Sequence, residues 1–358
     1  MSDQFHLLTI DEVRRETDDA VSLRFGLPQN AAQHFAFRAG QHVTLRTMID
    51  GEELRRNYSV CVAPHEGELR VAIKTIAGGR FSTWANAALA AGHEIEVMAP
   101  HGSFTWSFDP AAVRDYVGFA GGSGITPILS LLKTALATEP RSRFTLLYGN
   151  RHSGAIMFLE EIAALKDRYM DRLRVHHFLE DEEEDVALFN GRLDAAKIGE
   201  VLAGLVDPAR IDAAFVCGPG PMMDAVEAGL RGAGVPGERI LIERFTAGPR
   251  TADQIAHARQ VQAKAAGRPV QVTLDGRKRT LRFDPDKGSI LENARAAGLP
   301  APFACKAGVC ATCRARVLSG EVAMQANYGL SAEEVAAGYV LTCQAVPLTD
   351  DVALDYDA

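Results

Sequence analysis

Over the first 108 residues, apolar and polar positions alternate in short runs: Leu7–Val13, Ala20–Leu27, His42–Thr47, Tyr58–Val62, Leu69–Thr75 and Glu94–Met98. A period of two is that of a strand with one buried face. Turn signals such as Ala39-Gly40 and Asp50-Gly51 divide the runs. Six short strands so spaced predict an antiparallel β-barrel, interrupted by one helix from Ser82 to Leu89. From 109 to 245 the texture changes. Strand-like runs Asp115–Ala120, Phe144–Tyr148, Arg174–Phe178, Ala213–Cys217 and Ile240–Ile242 are separated by amphipathic helical stretches. That alternation predicts βαβ units and a doubly wound α/β domain. Residues 246–268, rich in Ala, Arg, Gln and Gly and without strong apolar periodicity, read as a linker, in part helical. A third domain, 269–358, opens with a hairpin, Val270–Leu274 and Thr280–Phe283 about Asp275-Gly276. A helix from Ser289 to Ala297 and a cysteine-rich loop follow it.

Composition narrows the picture without redirecting it. The chain has 358 residues, 47% hydrophobic and 23% charged, ordinary values for a globular protein with sizeable cores. A net charge of −8 argues against a nucleic-acid binder. No apolar run has the length of a membrane span, and Met1–Ile10 lacks the pattern of a leader, so a cytoplasmic protein is expected. Cysteine usage changes more. Four of the six cysteines, at 305, 310, 313 and 343, fall in the last sixth of the chain. Such clustering points to metal or redox chemistry rather than a disulfide framework.

Cys305, Cys310 and Cys313 form C-x4-C-x2-C, and Cys343 follows much later. This is the spacing of a plant-type [2Fe–2S] site, in which three thiolates share a loop and a fourth arrives from elsewhere. Small residues and Gly308 in that loop let backbone N–H groups approach the sulfurs. The competing reading, structural zinc, fits less well because zinc sites usually offer two separated ligand pairs.

Two further motifs precede the cysteines. Arg55-Arg56-Asn57-Tyr58-Ser59 puts a guanidinium fork, a ring and a hydroxyl on a barrel strand. Gly78-Gly79-Arg80-Phe81-Ser82-Thr83 opens the predicted helix and turns backbone amides toward an anion; alone it is equally an ordinary helix cap. Gly121-Gly122-Ser123-Gly124-Ile125-Thr126-Pro127 lies between a strand and a helix, where glycines permit close approach to a pyrophosphate. Cys217-Gly218-Pro219 closes a later strand at the carboxyl end, where ligands bind in such sheets; a buried structural cysteine is the bland alternative.

Together with Pro100-His101-Gly102-Ser103-Phe104 and Gly218-Pro219-Gly220-Pro221-Met222, these motifs make residues 1–245 resemble the ferredoxin-reductase type of flavoprotein. The resemblance implies FAD held by Arg56 and Ser82 at its pyrophosphate, with Gly79 in the helix entry. It puts Tyr58 against the flavin ring, Ser59 near N5 and Lys74 on the adenosine side. It implies a nicotinamide nucleotide on Gly122, Ser123, Gly124 and Thr126, with Cys217 and Gly218 beside the nicotinamide. Arg151 can pair with a 2′-phosphate, which favours NADPH; the acidic run Glu180–Asp185 reads as a solvated loop, although close to the nucleotide it would oppose that phosphate.

The whole chain resembles the reductase subunits of phenylacetyl-CoA epoxidases, through Gly79–Asn86, Tyr148-Gly149-Asn150-Arg151, Ile242-Glu243-Arg244-Phe245, Asn327–Leu330 and Gly338–Gln344. The resemblance implies electron flow from NADPH (NADH being possible) through FAD to [2Fe–2S]. The acceptor would be the separate di-iron subunits of a multicomponent monooxygenase in aerobic phenylacetate degradation. The reductase of another multicomponent oxygenase, and a flavin and iron–sulfur redox sensor, are the other readings. Partner identity separates the first, and an output element such as a DNA-binding helix would mark the second.

Overall fold

The alternating runs of the first domain pair as one antiparallel sheet in the computed structural model, which describes residues 5–28, 32–245 and 252–358. Its strands are β1 (Phe5–Thr17), β2 (Ala20–Phe25), β3 (His42–Ile49), β4 (Glu52–Ser59), β5 (Leu69–Lys74) and β6 (Glu94–Met98), in the order β4-β3-β6-β1-β2-β5. A single bridge from Val60 to Val71, and the Cys61 N–H donating to the Arg70 carbonyl at 3.0 Å, join the two edges. Joining them removes both open edges. Leu8, Ile10, Leu23, Val43, Val71 and Val97 fill the interior. Helix α1 (Arg80–Ala88) adds Phe81 and Ala85 to it. The fourth strand differs from its expected position. It runs Glu52–Ser59 rather than Tyr58–Val62, because Glu52, Glu53 and Arg56 are exposed on it and break the apolar alternation.

Five parallel strands follow: β7 (Asp115–Gly121), β8 (Arg143–Asn150), β9 (Leu173–Leu179), β10 (Ile211–Cys217) and β11 (Ile240–Glu243), in the order β11-β10-β7-β8-β9. Helices α2 (Ile125–Thr138) and α3 (Leu159–Arg168) bury Ile128, Leu132 and Ile162 on one face. Helices α4 (Ala195–Gly204) and α5 (Gly220–Gly232) bury Ile198, Val201, Met223 and Val226 on the other. Each such fully buried large side chain contributes roughly 1.5–3 kcal/mol, so both faces hold their helices firmly. The strand order reverses between β7 and β10, and ligands of such sheets settle in that crevice. Helix α2 also ties this layer to the barrel. Its Ser130 hydroxyl donates to the Val62 carbonyl at 2.6 Å. Its buried Lys133 pairs with Glu66 at 3.0 Å and with Glu161 of α3.

Barrel and parallel sheet, residues 5–54 and 58–243, form one unit; residues 244–358 make up most of a second. The second contains α6 (Ala252–Lys264), β12 (Pro269–Leu274), β13 (Arg277–Arg282), α7 (Ile290–Ala296), β14 (Arg314–Ser319), β15 (Val322–Met324), α8 (Ala332–Ala336), β16 (Tyr339–Leu341), β17 (Ala345–Pro347) and β18 (Val352–Asp355). The main sheet has the order β13-β12-β18-β14-β16, with β12 and β18 parallel and the other pairs antiparallel, a β-grasp arrangement. Of the expected linker, residues 246–251 lie outside the described residues. Its later part is helical, and Val261 and Ala265 pack into the core with Val270, Phe283 and Ile290. A stripe of alanine and valine buries too little for a periodicity count to register. Among the described residues no helix is long and apolar enough to cross a membrane.

Candidate functional site

Strand β4 presents its last residues in alternation, so Arg56 and Tyr58 share one face and Ser59 turns inward. Ser59 is buried at 2% exposure, whereas Tyr58 is half-buried and Arg56 exposed. The Tyr58 ring lies 5.7 Å from Phe81 on α1, and Phe81 the same distance from Trp84. This aromatic ledge beside a helix N-terminus suits a planar ring joined to a pyrophosphate. The Ser82 hydroxyl, expected at the FAD pyrophosphate, accepts from the Ile76 N–H and donates to the Gly79 carbonyl, both at 3.1 Å. A Cβ on Gly79 would come within 2.6 Å of that hydroxyl. The Gly79–Ser82 turn is therefore closed on itself at a helix N-terminus, whose first-turn amides suit an anion.

Behind Ser59 the topology assembles residues that no motif announces. The Ser59 hydroxyl donates to Glu243 Oε2 at 3.3 Å, and His42 Nδ1 stands 3.6 Å from Glu243 Oε1. The strands β3, β4 and β11 bring these three together. His101 packs edge-on against His42 at 4.3 Å between ring centres. Burial and the neighbouring His42 push the His101 imidazole down to about 3, so it is neutral. Cys217, fully buried at the end of β10, is held as a thiol, since burial and the Glu243 carboxylate push it well above the ordinary range.

The glycines at the β7–β10 crevice are there for lack of room. A Cβ on Gly124 would come within 2.1 Å of the Cys217 carbonyl oxygen, and one on Gly121 within 2.5 Å of Pro219. A Cβ on Gly218 would reach Met222 at 2.6 Å. Gly122 has φ of 51°, the left-handed region. Thr126 is buried with its hydroxyl donating to the Ser123 carbonyl at 3.0 Å, so it caps the turn. Beside this loop opens a cavity of about 640 Å³, walled by Lys74, Gly122, Asn150, Arg151, Glu180 and Arg192 among others. Ser123 and Gly124 belong to the adjoining turn. Lys74, expected on the adenosine side, lines this cavity and pairs with Asp19 at 3.5 Å. Glu180, the first residue of the acidic run, also lines it, paired with Arg192 at 2.8 Å. The run is therefore not wholly a solvated loop. Glu243, His42, Arg192 and Asn150 are the residues that sequence reasoning assigned no role; the stretches Ile242–Phe245 and Tyr148–Arg151 were the available signals for two of them.

In the second unit the cysteine loop winds through left-handed residues Lys306, Gly308 and Ala311. N–H and O–H groups aim at its sulfurs: Ala307 N to Cys305 Sγ at 3.3 Å and Thr312 Oγ1 to Cys310 Sγ at 3.2 Å. Cys343 follows β16 and receives Gln344 Nε2 at 3.8 Å. Cys313 and Cys343 are both buried and interact with each other, as Cys305 and Cys310 do. A soft four-thiolate donor set surrounded by donors to sulfur fits a [2Fe–2S] cluster, whose charge those donors offset.

Three domain families match the chain in order: an oxidoreductase FAD-binding domain over residues 7–106, an oxidoreductase NAD-binding domain over 119–228, and a 2Fe-2S iron-sulfur cluster binding domain over 272–348. One subunit of the 1,2-phenylacetyl-CoA epoxidase of Escherichia coli (strain K12) is 46% identical over 99% of this chain and 98% of its own. The ferredoxin reductase component of 3-ketosteroid-9-alpha-monooxygenase from Rhodococcus rhodochrous is 34% identical over 98% of this chain and 96% of its own. The fold of phthalate dioxygenase reductase, a modular structure for electron transfer from pyridine nucleotides to [2Fe–2S], superposes with a TM-score of 0.58 at 23% identity, covering 99% of this chain and 98% of that one.

Proposed function

Since this chain belongs to the family of oxygenase reductases that join FAD-binding, NAD-binding and [2Fe–2S] domains in one polypeptide, we propose that it carries electrons from NADPH to the di-iron oxygenase subunits of a phenylacetyl-CoA epoxidase. The single observation that supports this acceptor over others is 46% identity, end to end, to a component of such an epoxidase. Bound FAD supplies the step from two-electron hydride chemistry to the one-electron chemistry of the cluster. The chain's own residues do the rest. The crevice glycines leave the pyrophosphate backbone amides to bind, and Cys217, a neutral thiol at the β10 end, packs against the nicotinamide without adding charge. Ser59 and Glu243 hold a hydroxyl and a carboxylate in hydrogen-bond contact, a path for a proton to or from the flavin edge. Arg151 and Arg192 on the cavity wall are the groups that favour a 2′-phosphate. Cys305, Cys310, Cys313 and Cys343 hold the cluster.

The test joins the purified, cofactor-loaded chain to the oxygenase subunits of the epoxidase. NADPH oxidation should couple to oxygen uptake and to epoxidation of phenylacetyl-CoA, and NADPH should outperform NADH. Uncoupled oxidation here, with coupling restored by a 3-ketosteroid or other ring oxygenase, would move the chain to that partner and overturn this assignment.

A further inference from the structure

Asn150 ends β8, one residue before Arg151. It is 5% exposed and lines the cavity of about 640 Å³. Its backbone is fully used, for it pairs with Leu179 across the sheet and its carbonyl accepts from the Glu180 N–H at 3.1 Å. Its side chain is not: neither Nδ2 nor Oδ1 has a hydrogen-bond partner among the described residues. Tyr148, two residues back on the same strand face, donates its hydroxyl to the Gly122 carbonyl at 3.0 Å. Even a contact from Nδ2 to that hydroxyl oxygen leaves Oδ1 unserved. A buried amide without partners is unfavourable, and an apolar side chain of the same shape would suit a strand end better. In a cavity wall such an amide is completed by what enters.

We propose that Asn150 reads the adenosine half of the coenzyme, donating from Nδ2 and accepting at Oδ1. This rests on placing the coenzyme in that cavity. Chemistry excludes the phosphates, which only accept and would leave Oδ1 unpaired, whereas an adenine edge or a ribose hydroxyl both donates and accepts. Position selects the half: Arg151 follows Asn150, Glu180 donates its N–H to the Asn150 carbonyl and pairs with Arg192, so the guanidinium groups proposed for the 2′-phosphate stand beside it, while the glycine turn supplies N–H groups for the pyrophosphate.

The experiment titrates ADP-ribose into the full-length, FAD-loaded protein by calorimetry. This ligand has adenosine and pyrophosphate but neither nicotinamide nor 2′-phosphate, so it is indifferent to the NADPH preference. Wild type is compared with Asn150→Leu and with Gly122→Asp, which sets a carboxylate against the pyrophosphate in a left-handed position that aspartate tolerates. Asn150→Leu should raise Kd about tenfold, two lost hydrogen bonds of ordinary strength. It should raise KM for NADPH with kcat unchanged, and leave the melting temperature of the nucleotide-free protein equal or higher. Unchanged Kd in Asn150→Leu with weakened binding in Gly122→Asp overturns the role of Asn150 and leaves the cavity assignment standing. Unchanged Kd in both overturns the cavity assignment, and the proposal with it. Asn150→Ala gives the same reading if the leucine variant loses its flavin.

Discussion

Lys133→Met probes the tie between the barrel and the parallel sheet. Lys133 is buried, its side chain 5% exposed, and its ammonium meets Glu66 at 3.0 Å and also Glu161. Methionine keeps the length of the stem and removes the charge, so little cavity is made. What remains is two carboxylates, 33% and 28% exposed, that have lost their shared cation. Breaking a fully buried pair costs roughly 3–5 kcal/mol; partial exposure lets water relieve the orphaned acids, which reduces the expected cost to about 2 kcal/mol. For a unit of this size that lowers the melting temperature by about 4–8 °C. Thermal unfolding of the flavin-loaded protein, followed by the fluorescence of released FAD, measures it. Adding Glu161→Gln to Lys133→Met should recover part of the loss, less than half, because one of the two charges is gone but Glu161 had kept Arg14 at 3.6 Å. A double variant as unstable as the single one would show that packing, not charge, sets the cost and would refute the reasoning. The pH dependence carries the same signature. Burial works to lower the Lys133 pKa, but the two carboxylates outweigh it and hold the value above the ordinary 10.5. The contribution is thus complete below about 10.5 and is lost as pH rises through the higher folded value.

Cys313→Ala removes one of the four thiolates; NADPH should still bleach the flavin, while the low-temperature EPR signal of the reduced cluster disappears and reduction of the oxygenase stops. Ser59→Ala should slow flavin reduction about 100-fold in stopped flow, and Glu243→Gln should shift the pH profile of that step; unchanged profiles in both would remove the proton path. His101 has a folded value near 3 against 6.5 when exposed, so the unfolded chain binds its proton first and stability falls as pH drops from 6.5 toward 3. The slope should be about 1 kcal/mol per pH unit, and His101→Gln should flatten it in urea melts at pH 6.5 and 4.5.

The sequence displayed most of the fold because burial is regular where strands pack against a core. Glu94–Met98 and the five strands of the parallel sheet fall within a residue or two of the apolar runs. The signal failed at β4, where Arg56 is exposed and Tyr58 half-buried and the polar residues hide the period. It failed again in the last domain, where β15, β16 and β17 are three residues each, too short to show any period. The cysteines were legible because a cluster demands fixed spacing on one loop. His42 and Glu243 were not, since they lie on β3 and β11, far from Ser59 in the chain, and only strand order makes the three neighbours.

The contact of Gly124 with the Cys217 carbonyl has a consequence for how this scaffold can diversify. At Gly124 backbone meets backbone, and no side chain can grow there without pushing the glycine turn away from the end of β10. The Gly124 side of the crevice is thus sterically frozen, and any sequence on this frame must present nearly the same backbone there. Freedom lies some distance away, among Arg151, Glu180 and Arg192, whose long side chains can be exchanged without disturbing a strand. With the coenzyme placed as proposed, its preference and the hydride chemistry become separable traits, and a redesign that converts one donor to the other would be confined to the cavity rim.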